Sequence, residues 1–165
     1  MKNYEKVLEV TPDTNTAPLL AGAQFADAFR IDVDGRALDA RHAAVLMTRR
    51  SRWIDALIRL RNLLVAPLGL KTSGETEKPR RETIGLFPIL TESPERLVAG
   101  FNDKHLDFRL VVDVAACGAN SAPAQQVTAT TLVKTHNWFG RIYLAIILPF
   151  HRLIVPTMLR KIAAS

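Results

Sequence analysis

Between Thr83 and Lys134 the sequence runs in a period of two, and this limits the possible folds more than any other feature. Four apolar runs, IGLFPIL (84–90), RLVAGF (96–101), LDFRLVVDV (106–114) and QVTATTLVK (126–134), are separated by ESPE, NDKH and the longer ACGANSAP. Alternation of this kind predicts strands with one apolar face. The third run is the clearest: Leu106, Phe108, Leu110, Val112 and Val114 share one side, with Asp107, Arg109 and Asp113 on the other. Parallel neighbours need long crossovers, so connections this short predict an antiparallel meander. Pro88 lacks an amide hydrogen for a ladder and predicts an edge or a bulge. An earlier run, AFRIDVDG (28–35), alternates the same way, with Phe29, Ile31 and Val33 on one side, and ends in an Asp-Gly turn.

Two helices are predicted between that strand and the meander. Asp39 can cap DARHAAVLMT and Ser51 can cap a second helix, because their short side-chain oxygens accept from amide hydrogens left unpaired at a helix start. In the second helix Trp53, Leu57, Leu60 and Leu64 share a face, while Arg52, Asp55, Arg59 and Asn62 form the opposite one. Pro67 and Gly69 stop it. The following KTSGETEKPRRE has no apolar period and reads as an exposed, mobile loop.

Asn137 can cap the final element, WFGRIYLAIILPFHRLIVPTMLRKIA. Between Arg141 and His151 the uncharged run is only Ile142 to Phe150, whereas a membrane-spanning helix needs about 20 apolar residues, so no transmembrane segment is expected. A helix apolar on nearly all sides is expected to be wrapped by protein. Pro149 and Pro156 each remove an amide donor and crowd the preceding turn, which predicts a bend or break near them.

The chain has 165 residues, 48% hydrophobic and 23% charged, as expected of a folded globular domain. Residues 1–24 lack sustained periodicity and are read as an irregular arm, with 25–165 as a single domain. The only cysteine, Cys117, has no partner for a disulfide or a thiolate metal site, and the N-terminus has no apolar core of the export type. A cytoplasmic setting is the expectation. The net charge of +6 and pI near 9.9 invite a nucleic-acid reading. The densest basic cluster, Arg49, Arg50, Arg52, Arg59 and Arg61, lies on an otherwise amphipathic helix and reads as a solvated face, so no nucleic acid is expected as a partner.

Strand, two helices, antiparallel strands and a long C-terminal helix is the element order of the α+β helix-grip fold, a curved antiparallel sheet wrapped around that helix. START lipid-transfer domains, the birch pollen allergen family and polyketide cyclases share it. In finer detail, WIDALIRLRNLLVAPLGL (53–70) and GRIYLAIILPFHRLIVPTMLRKI (140–162) resemble an uncharacterised bacterial domain family. Its members occur alone or after a short-chain-dehydrogenase-like NAD(P)-binding domain. The resemblance runs from about Ala26 to the end. It supplies a fold and implies an apolar ligand held between sheet and helix, without catalytic residues to carry over. This chain has no GxGxxG fingerprint after a strand, so the resemblance implies a stand-alone form, and any NAD(P)-dependent oxidoreductase partner would be a separate protein. No bound cofactor is expected.

The expected ligand wall comprises Trp53, Phe87, Phe101, Phe108, Leu110, Trp138, Tyr143, Ile147 and His151, with Arg141 or Arg152 available to a carboxylate. Such walls are mostly apolar with a few placed polar groups. His151 and Arg152 stand mid-helix, where charge is costly unless paired or solvated. His151 reads either as a pocket group or as a hydrogen-bonded core histidine. His136 is placed at the foot of the helix, as a pocket-mouth group or a helix-capping one. His42 and His105 lack a second histidine at helical spacing, so no metal site is expected. Two alternatives use the same residues differently. One is a cyclase or dehydratase with His151 or Tyr143 as acid or base. The other is an interaction module docking Arg49 to Arg61 on an acidic partner or membrane surface.

Overall fold

A computed structural model describes residues 6–35, 37–49, 52, 55, 56, 59, 82–85, 87–117 and 124–165. Within them lies an open, curved antiparallel sheet of seven strands in the order β1-β2-β7-β6-β5-β4-β3. The strands are β1 (Leu8–Val10), β2 (Phe25–Asp34), β3 (Thr83–Ile84), β4 (Phe87–Glu92), β5 (Arg96–Asn102), β6 (Leu106–Cys117) and β7 (Ala124–Thr135). The meander read from the period of two is present as consecutive ladders from β4 to β7. Each short connection is closed by local bonds: the Ser93 amide donates to the Arg96 carbonyl and the Asp103 amide to the Leu106 carbonyl. The register of β4 against β5 shifts between Ile89 and Thr91, one residue past Pro88, which is the bulge that proline predicts. Gly100 sits where β5 presses on β6, and a Cβ there would overlap the Phe108 carbonyl oxygen.

The first and last parts of the sheet are joined by β2 and β7, second and third from one edge, which pair from Phe25↔Val133 to Asp34↔Ala124. One face carries the main core. Phe29, Ile31 and Val33 of β2, Val127 and Ala129 of β7, Leu110, Val112 and Val114 of β6, and Leu97 and Ala99 of β5 are all buried there. Helix α1 (Ala40–Thr48) covers part of it with Ala43, Ala44 and Met47, and its first turn is capped by Asp39, whose side chain accepts from the His42 amide at 2.6 Å.

The other face is not simply solvated. A 3-10 helix, Thr14–Leu20, packs under β6 and β7 and helps bury Val111, Thr130 and Leu132. The residues read as an irregular arm therefore contain a strand pairing with β2 and a covering turn. Neither shows a period because one is three residues long and the other is held by local polar bonds. Asp13 accepts from the Asn15 amide, and the Thr16 hydroxyl donates to the Asp13 carbonyl. Arg96 ties the turn to the sheet, donating to Asn15 Oδ1 at 2.7 Å and to Asp113 Oδ2 at 3.0 Å. The Asp113 hydrogen bond raises the Arg96 pKa further above its ordinary value, against the opposing effect of burial.

Helix α2 (Trp138–Ala163) runs for 26 residues, roughly 39 Å, without a break at Pro149 or Pro156. Each proline removes one amide donor, and the rest of the ladder carries the helix through. The expectation that protein wraps this helix on all sides is corrected by its outer face. Trp138 is 70% exposed and Leu153 71%, with Ile142, Ile146 and Phe150 on the same side also exposed. Apolar composition fixed which segment is helical but not how much of it is covered. By length and composition alone the whole of α2 is long and apolar enough to cross a membrane, although its central uncharged run is short. The core helix of a soluble protein passes the same test but is mostly buried, whereas only 11% of the apolar window of α2 is buried.

Most of the predicted second helix, Trp53 included, and residues 71–81 and 118–123 lie outside the described residues. Of that helix Arg52, Asp55, Ala56 and Arg59 are described, and all four are exposed.

Candidate functional site

Two anchors hold α2 to the sheet. At its start Asn137 caps the helix by accepting from the Gly140 amide, and Gly140 itself lies against the β5–β6 turn, where a Cβ would overlap the His105 carbonyl oxygen. At its end Val155, Leu159 and Ile162 are buried in the core with α1. From Arg141 to Ile154 no residue of the helix is fully buried. The inward positions Tyr143, Leu144, Ile147, Leu148, His151 and Ile154 are all half-buried. The middle of this apolar helix is therefore covered less completely than its two ends, even on its inner side.

Across the same face of the sheet, Phe87, Phe101 and Phe108 form a half-buried aromatic group. Phe101 and Phe108 are direct partners across β5 and β6, with ring centroids 5.7 Å apart, and Phe87 of β4 lies 4.9 Å from Phe108. Leu110, next along that face of β6, is buried.

His151 reaches down from α2 to Asp27 of β2. Its Nε2 lies 3.1 Å from both carboxylate oxygens, with the hydrogen bond made to Oδ1, and the Phe25 ring stands edge-on to the imidazole at 6.1 Å. Asp27 is 7% exposed, and its Oδ2 has no hydrogen-bond partner. Thr131, directly opposite Asp27 in the β2–β7 register, is 2% exposed, and its hydroxyl likewise has no partner. A buried polar atom left unpaired costs free energy, so two on neighbouring residues mark a place that calls for a further group.

The structure therefore gathers Tyr143, Ile147 and His151 on the inner side of α2, and Phe87, Phe101, Phe108 and Leu110 on the sheet face. It separates Trp138, Arg141 and Arg152, which are exposed. Trp53 lies outside the described residues. Asp27, Thr131 and Phe25 escaped the sequence reading. The signal for Asp27 was present: Phe25, Asp27, Phe29, Ile31 and Val33 are in phase, so the aspartate stands on the apolar side of its strand.

A second polar group lies at the foot of α2. Asn137 Nδ2 donates to His105 Nδ1 at 2.9 Å, and the His105 ring meets Phe139 at 4.8 Å. His136 does not cap the helix; its Nε2 lies 3.0 Å from Asp107 Oδ1. Asp107, read as a solvated strand residue, is thereby half-buried and paired. Among the described residues no three His, Cys, Asp or Glu side chains converge as a metal ion requires.

An open antiparallel sheet with a long C-terminal helix across one face, meeting it at β2 and β7 and through the His151–Asp27 contact, defines the class: an α+β protein of one sheet and a few helices. Residues 19–158 match the family described as "Protein of unknown function (DUF2867)", and the chain belongs to that family. No curated protein and no solved structure matches it.

Proposed function

We propose that this chain binds an apolar or amphipathic small molecule between the sheet and α2, in a helix-grip arrangement. The carrying observation is the stretch Arg141–Ile154, apolar and anchored at both ends yet without one buried residue. The half-buried Phe87, Phe101 and Phe108 group supplies aromatic surface on the same face, and His151 with Asp27 supplies the placed polar groups that such sites carry. The test is native mass spectrometry of the purified protein, followed by denaturing extraction of whatever small molecule it retains. A stoichiometric apolar ligand that Ile147→Ala binds more weakly supports the reading. An unliganded mass, together with no binding of octan-1-ol in titration, refutes it.

One observation favours a second reading, acid–base chemistry in the same space. A histidine oriented by a buried carboxylate is the arrangement of a general base. That reading requires His151→Ala to abolish turnover of the retained compound while its binding survives.

A further inference from the structure

The space beneath α2 has a polar point that the proposed ligand reading does not explain. Asp27 Oδ2 and Thr131 Oγ1 are both buried and make no hydrogen bond, Oδ2 having only the His151 Nε2 ion-pair contact at 3.1 Å. Their residues face each other across β2 and β7 in direct register, so the two side chains share one face of the sheet. It is the face of Phe29 and Leu110, over which His151 of α2 is hydrogen-bonded. Cross-strand Cβ atoms in such a pair stand about 5 Å apart, a spacing that one small polar group can bridge.

We propose that this pair is the head-group subsite for the ligand, and that the ligand is a neutral apolar molecule carrying a hydroxyl. The inference rests on the reading that a ligand occupies the space beneath α2. The choice of hydroxyl follows from the donors and acceptors available. Asp27 Oδ2 can only accept from the ligand when ionised, and a threonine hydroxyl can both donate and accept. A ligand hydroxyl donates to Asp27 Oδ2 and accepts from Thr131, so one group satisfies both atoms. An ammonium can donate to both oxygens but leaves the Thr131 hydrogen without an acceptor, whereas a hydroxyl pairs with both partners in full. A carboxylate sets a second negative charge against Asp27. The cations foreseen for a carboxylate, Arg141 and Arg152, are exposed. The site thus selects against fatty-acid-like anions and for alcohols, phenols or enols on an apolar body.

The test compares four probes of one chain length, octan-1-ol, octyl methyl ether, octylammonium and octanoate, by isothermal titration with the whole protein. Octan-1-ol is expected to bind roughly tenfold or more tightly than its methyl ether, because the ether cannot donate to the carboxylate. Octylammonium and octanoate are expected to be weaker than the alcohol. Thr131→Val keeps the side-chain shape and is expected to lower the alcohol's affinity severalfold while leaving the ether unchanged, and Asp27→Asn to narrow the same gap. Should Asp27→Asn fail to fold, Thr131→Val decides alone. Equal binding of alcohol and ether by the natural protein overturns the subsite and leaves the ligand space standing, as does an alcohol preference that survives Thr131→Val. Tighter binding of octanoate or octylammonium than of the alcohol overturns the hydroxyl assignment. No binding of any probe overturns both the subsite and the ligand reading on which it rests.

Discussion

Truncating two leucines of α2, eleven residues apart, should cost very different amounts of stability. Leu159 has no exposed surface and is packed in the main core, so Leu159→Ala removes buried methyl groups and leaves a cavity. Substitutions of this kind cost about 3 kcal/mol or more. Leu148, on the inner side of the same helix, is half-buried beside the proposed ligand space. Its Ala variant loses the transfer energy of about three carbons, each roughly half in contact, near 1 kcal/mol at about 0.8 kcal/mol per carbon. It should create little new cavity, because a half-buried side chain already borders solvent or the proposed ligand space. Alanine is the best helix former, so neither change penalises the helix itself. Urea unfolding followed by far-ultraviolet circular dichroism separates the two. With a slope of about 2 kcal/mol/M, the midpoint should fall by about 1.5 M for Leu159→Ala and about 0.5 M for Leu148→Ala. Equal losses would mean that the middle of α2 is packed as tightly as its end, and the argument for a space beneath it would fail.

Two further substitutions probe the ends of helices. Gly140→Ala improves intrinsic helix propensity by about 1 kcal/mol yet forces a Cβ onto the His105 carbonyl, so a net loss of about 1 to 3 kcal/mol is expected; a raised melting temperature would show that the helix start can shift away from the β5–β6 turn. Asp39→Ala removes the cap that accepts from the His42 amide and should lower stability by about 1 kcal/mol, read as a fall in the thermal midpoint; an unchanged midpoint would place the first turn of α1 under the control of its core contacts alone.

The strands and both described helix caps were legible because their signals are local. Alternation in LDFRLVVDV places Phe108, Leu110, Val112 and Val114 on the core face, and Asp39 and Asn137 cap where their positions say they should. What could not be read depends on distant partners. Leu8–Val10 is too short to carry a period, and its pairing with β2 is visible only when both are placed. The outward residues of β6 looked solvent-facing because the turn that covers them, Thr14–Leu20, lies almost a hundred residues earlier in the chain. For α2, composition marked an apolar helix, but Trp138 and Leu153 turn away from the sheet because the sheet reaches only the opposite side. At the candidate site, His151 stood out as a histidine in an apolar helix, whereas Asp27 passed as one more charged residue in an alternating strand. Only its phase distinguished it from Asp32 and Asp34, which are exposed.

The pairing of β2 with β7 also governs when this protein can fold. Asp34 meets Ala124 and Phe25 meets Val133, partners 90 and 108 positions apart along the chain. Closing so long a loop carries its entropic cost before the ladder returns any stabilisation, and such distant pairing slows folding. On the ribosome, β2 emerges early and, with only the three residues of β1 to pair with on one side, must wait for its long partner while the meander from β4 to β6 assembles from near neighbours. Only the release of β7 and the helix behind it brings the first and last parts of the domain together, and until then β2 is an open strand edge exposed to mispairing.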